Sequence, residues 1–227
     1  MSAISTTNAP EAGAKQPKWA RMGHAHHFRS HEEEFDACKL GMWLFLTTEV
    51  LLFAGIFVAY AIFRAKYPEA FSNGSHYLDW RWGGLNTVIL LISSFTIAYS
   101  IRNAQTNNQV WLRRNLLITL VCGALFLVIK FVFEYGPKWA QGKRPGNLFN
   151  YPGAENPHEP IWWSIYYSAT GIHASHVVIG MGLIFYVYIR SLKGTYGPKH
   201  YTGVEVIGLY WHLVDLIWIF LFPLLYL

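Results

Sequence analysis

The last stretch of the chain, residues 203–227, reads GVEVIGLYWHLVDLIWIFLFPLLYL, an apolar run that nonetheless carries Glu205, His212 and Asp215. A bilayer-spanning helix needs about 20 predominantly apolar residues, so the run is long enough to cross a membrane. At about 100° per residue, Glu205, Gly208, His212 and Asp215 fall within one narrow arc. Ionisable groups at bilayer depth cost roughly 2.5–3.5 kcal/mol each, so they face protein, a cavity or a ligand rather than lipid. This helix therefore demands neighbours that carry matching polar groups.

Four earlier apolar runs can supply them. The chain is 53% hydrophobic and only 14% charged, where a soluble domain carries about 25% charged residues. Its charges cluster between the runs. These features predict an all-α membrane protein, a five-transmembrane-helix bundle over residues 36–227, with spans near 36–63, 83–101, 115–135, 161–190 and 203–227. A polar tail, 1–35, precedes it. The tail has no apolar core of the signal-peptide kind, so no cleavable leader is expected. The first link contains Pro68 and an Asn73-Gly74 turn signal. The third link holds Pro137, Pro145, Pro152, Pro157 and Pro160, and is expected to pack on the surface without an element of its own. Cys38 and Cys122 show no C-x-x-C spacing and read as small apolar fillers. The net charge of +5 comes from residues flanking the runs and calls for no nucleic acid.

The other runs are not purely apolar either. The first holds Glu49 near its middle, on a stripe with Cys38, Met42, Ile56 and Tyr60. The second opens with Asn86 and several small polar residues. The third carries Lys130 and Glu134, four apart and so on one face, where each neutralises the other. In the fourth, Ala169, His173, His176 and Gly180 share a face, and Gly171 and Ser175 form a small-xxx-small pair suited to close helix contact. Counting about 1.5 Å per residue puts Glu49, His173, His176, His212 and Asp215 at mid-helix, Lys130 further out and Glu134 further still. The expectation is one buried carboxylate–histidine cluster. Three uses for it stay open on chemistry alone: a structural lock, a haem or metal site, or a proton or solute path. The tail adds His24, His26, His27 and His31 before Glu32, Glu33 and Glu34, a group that reads as a solvated leader, a proton-buffering surface or a metal site.

Orientation follows from basic residues in the links. The tail and the second and fourth links hold ten: Lys15, Lys18, Arg21, Arg29, Arg102, Arg113, Arg114, Arg190, Lys193 and Lys199. The first and third links hold six: Arg64, Lys66, Arg81, Lys138, Lys143 and Arg144. The excess predicts an inside N-terminus and, after five spans, an outside C-terminus.

Five segments, in order, resemble subunit III of the haem-copper terminal oxidases. LGMWLFLTTEVLLFAGIFVAY is similar to that family's first conserved helix, with Glu49 at its buried glutamate and Thr48 where Ser is common. LNTVILLISS resembles the L-N-T opening of the next. Phe133-Glu134-Tyr135 resembles the family's S/F-E-Y. ATGIHASHVVIG resembles T-G-F-H-G-x-H-V-x-x-G, with Ala174 for Gly. EVIGLYWHLVDLIWIFLF is similar to the closing segment with Y-W-H-F-V-D.

The resemblance implies a five-helix bacterial form, without the two N-terminal helices of longer members, in the bacterial plasma membrane. It implies a non-catalytic subunit of a proton-pumping oxygen reductase, a cytochrome c oxidase of aa3 type. Haem and copper are then expected in partner subunits and none in this chain. Subunit I is the expected main contact, with subunit II and phospholipid as further partners. On this view Glu49, His173, His176, His212, Asp215, Lys130 and Glu134 form a buried polar network and ligate no metal. The alternatives are an accessory subunit of a quinol oxidase or nitric oxide reductase and, in another class, a haem-binding membrane enzyme.

Overall fold

The computed structural model describes residues 17–23, 26 and 28–227. His24, His27 and Lys15 lie outside the described residues. Among the described residues, five helices have the length and apolarity to cross a membrane. They are α2 (His31–Lys66), α4 (Trp80–Gln105), α5 (Gln109–Val128, continued by a π-helical stretch Ile129–Tyr135 and by α6, Gly136–Ala140), α7 (Glu159–Leu192) and α8 (Thr202–Tyr226). A short α1 (Lys18–Arg21), α3 (Pro68–His76) and a 3₁₀ turn Gly146–Leu148 complete the list. Among the described residues no strand forms, and Gly197 and His200 make one isolated bridge.

The spans outrun the apolar stretches because polar caps add turns. Ser30 accepts from the Glu33 amide at 3.1 Å, Asp79 from Arg81 at 2.9 Å and Asn108 from Trp111 at 3.3 Å. Each cap satisfies an amide that the first turn leaves unbonded. Glu32, Glu33 and Glu34 then suit the positive end of the α2 dipole.

α4, α5, α7 and α8 form a closed ring in which each packs on the next. α2 lies outside it, against α7 and α8, and is the least buried of the five, whereas α8 is the most buried. The seam of α2 consists of Leu46, Phe53 and Tyr60, seven apart. Cys38, read from sequence as a small apolar filler, is exposed, while Cys122 is buried. Small residues let the ring close tightly. A methyl at Gly180 would lie 2.9 Å from the Trp211 ring, so α7 and α8 meet at backbone distance. Polar seams help: Trp211 Nε1 donates to Ser93 at 2.9 Å, Trp218 Nε1 to Thr87 at 3.1 Å, and Thr96 and Thr119 join α4 to α5 at 2.8 Å.

Two links differ from the sequence reading. Pro68 begins α3 rather than breaking structure, since Pro suits a first helical turn. Asn73 and Gly74 lie within that helix, not in a turn. Gly74 serves packing: a Cβ there would sit 2.3 Å from Trp162 on α7. The third link contributes α6 and the 3₁₀ turn, and Lys143 within it is buried between the rings of Tyr77 (4.0 Å) and Tyr151 (4.4 Å). Burial pulls the Lys143 ammonium below its usual pKa, against the pull of Glu159.

Candidate functional site

The single cluster expected from depth does not form; the structure separates its members into distinct sites. Helix rotation and order decide this, because residues at equal depth on α2, α7 and α8 look into different interfaces.

The first site is fully interior. Lys130 and Glu134, both in the π-helical stretch, pair at 2.6 Å with side chains 1% exposed. Lys130 Nζ also donates to the hydroxyls of Tyr226 (2.6 Å) and Tyr166 (3.1 Å). Tyr166 in turn donates to Glu134 Oε2 at 2.9 Å, and Tyr226 donates to the same oxygen. All three ammonium protons are thus used, and the rings of Tyr166 and Trp218 lie about its charge, at 4.9 and 5.0 Å. The tyrosines were not singled out from sequence; a Tyr in an apolar run gives no sign of what its hydroxyl meets.

The second site joins α2 to α7. His176 Nε2 lies 2.8 Å from Glu49 Oε2, and His176 Nδ1 lies 2.7 Å from the Ile172 carbonyl. A carbonyl only accepts, so Nδ1 carries a hydrogen. One further proton is then shared across the Glu49–His176 contact, as carboxylic acid with imidazole or as carboxylate with imidazolium. The two side chains are 16% and 12% exposed. They border an apolar cleft of about 170 Å³ between α2, α7 and α8, with Met42, Phe45, Ile179 and Val206 among its walls.

His173, one turn from His176, faces elsewhere. It is fully buried against Phe126 (5.5 Å) and Trp218 (5.1 Å), with neither ring nitrogen hydrogen-bonded. The two histidines therefore do not share a ligand position. His212 Nδ1 lies 2.7 Å from the Ser94 hydroxyl on α4. Asp215 is buried beside Ser94. Glu205 leaves the arc it shares with these two and pairs with Lys39 of α2 at 3.0 Å. Among the described residues, no three His, Cys, Asp or Glu side chains come together as a metal-binding group.

The family model for cytochrome c oxidase subunit III matches residues 153–227, which hold α7 and α8. Curated relatives extend the match. Cytochrome c oxidase subunit 3 of Thermostichus vulcanus is 34% identical over 206 residues, 90% of this chain and 91% of the relative. That of Synechocystis is 33% identical over 207 residues, 90% and 80% respectively. The human subunit 3 is 31% identical over 199 residues, covering 83% and 68%. The chain belongs to the cytochrome c oxidase subunit III family. It is thus a subunit III of a haem-copper oxidase, a multi-subunit respiratory complex, and a multi-pass protein of the bacterial plasma membrane. Within this subunit the family match covers His173, His176, His212 and Asp215, whereas Glu49 and the Lys130–Glu134 pair lie in the part matched by the relatives alone.

Proposed function

We propose that this subunit III is a non-catalytic companion of the catalytic core of a proton-pumping cytochrome c oxidase of aa3 type. It packs on subunit I, holds phospholipid and supports proton uptake and the durability of the core during turnover. The names of its relatives favour cytochrome c oxidase over a quinol oxidase or nitric oxide reductase. Haem and copper belong, on this reading, to the partner subunits. The basic-residue count supports an inside N-terminus and an outside C-terminus.

The observation that carries the reading is the Glu49–His176 pair. Its shared proton sits at the edge of an apolar cleft rather than in the sealed interior, so it can exchange with the surroundings. The cleft suits an acyl chain, because its polar groups already satisfy each other. The test is the native complex carrying Glu49→Gln. The amide can still hydrogen-bond His176 but holds no acid proton. Assembly and haem spectrum should stay intact, while the number of turnovers before inactivation falls several-fold. An unchanged turnover lifetime overturns the role given to this pair, and failure of the chain to co-purify with oxidase subunits overturns the assignment as a companion.

A further inference from the structure

α8 shows a second opening, on the side of α2 away from α7. α2 and α4 both pack on α8 but not on each other. Between them lies a groove of about 390 Å³ whose walls include Trp43 and Leu46 of α2 and Leu91 and Ser94 of α4, and whose floor includes His212 and Leu216. Trp43, Leu91 and Leu216 are half exposed, at 54%, 49% and 49%. The groove is not purely apolar. His212 has its Nδ1 occupied by Ser94, and its Nε2 has no partner among the described residues.

Ser94 and His212 lie near the middle of α4 and α8. The hydrocarbon core is about 30 Å thick, so a lipid offers only methylene and methyl groups at this depth. An acyl chain would leave Nε2 unsatisfied. A transmembrane helix can present a polar side chain there. We infer that the α2–α4–α8 groove is the seat of a transmembrane helix from another subunit of the oxidase, which offers a hydrogen-bonding side chain to His212 Nε2. This rests on the companion role proposed above and assigns it a face. The α2–α7–α8 cleft differs in that its imidazole is already matched by Glu49.

The test uses the purified native complex with photoreactive benzoylphenylalanine at Leu216, and at Leu117 on the outer face of α5 for comparison. Illumination should join residue 216 to another membrane subunit of the oxidase, identified by mass. Adducts at 216 with lipid only, or with a second copy of this chain, overturn the inference. Because the probe is bulky, two small substitutions stand beside it. His212→Asn keeps a polar group toward Ser94 and loses the outward one, while His212→Gln carries an amide outward. After a detergent wash, retention of subunit III should fall roughly threefold to tenfold in His212→Asn and stay within about twofold of wild type in His212→Gln. Equal loss or equal retention in the two overturns the inference. A chain that associates but cross-links through residue 117 alone overturns the face while leaving the companion role standing. A chain that never associates overturns that role instead.

Discussion

The Lys130–Glu134–Tyr166–Tyr226 group and the Glu49–His176 pair are both acid–base contacts at membrane depth, and they are built oppositely. The first lies inside the α4–α5–α7–α8 ring at 1% exposure, with every Lys130 proton donated to a named oxygen. The second bridges the ring to the loosely held α2, more than a tenth exposed, with one proton shared between two atoms. A sealed group whose ammonium protons are all donated fixes how helices dock and lies out of reach of exchanging water. An open pair contributes less to docking and can trade its proton. On the proposed function, helix docking and proton exchange are thus placed in different layers of one bundle.

The largest expected effect breaks the sealed side. Lys130→Met leaves Glu134 buried without its counter-charge, which should lower stability by about 3–5 kcal/mol. Adding Glu134→Gln should recover much of that. Thermal release of subunit III from the complex measures both, and a mild single variant would erase the distinction between the two sites. Next comes Gly74→Ala. Its methyl meets Trp162, which stacks on Tyr166 at 5.4 Å, so overpacking should cost about 1–3 kcal/mol and disturb the same group from outside. A neutral result would mean that α3 yields easily. Glu49→Gln should change stability by less than about 1 kcal/mol, while shortening turnover lifetime. A large stability loss without a change in lifetime would reverse the roles of the two sites.

The smallest effect lies outside both sites, in the link between α7 and α8. Burial lowers the His200 pKa; Glu34 pulls it back up, and Arg190 and His31 add to the lowering. The folded state then binds fewer protons than the unfolded state between the lowered value and about 6.5. Local stability from neutral His200 is therefore full above about pH 6.5 and lost as pH falls through the folded value. The protection of the Gly197 and His200 amides, which bond each other at 3.1 and 2.9 Å, measured relative to the intrinsic exchange rate at each pH, should fall on acidification in the wild type and not in His200→Gln. Equal loss of protection in both would remove His200 as the cause.

The five spans could be read from sequence because run length has one cause, the thickness of the hydrocarbon core. Their ends could not, since Ser30, Asp79 and Asn108 extend helices through polar residues. α3 was hidden because Pro68 and Gly74 look like breakers, while one starts the helix and the other makes room for Trp162. The contact between Lys130 and Glu134 was legible because it is local, four residues apart. The pairing of Glu49 with His176, rather than with His173 or His212, depends on how α2, α7 and α8 are ordered and rotated, which no periodicity reveals. The π-helical winding around Lys130 left no mark in the residue pattern.

The contrast between the layers is tested most directly by proton exchange in the native complex. In D₂O, infrared bands removed by Glu49→Gln should shift within minutes, while those removed by Tyr166→Phe should persist for hours. Bands from both sites shifting at one rate, or those of the sealed group shifting first, would contradict the account.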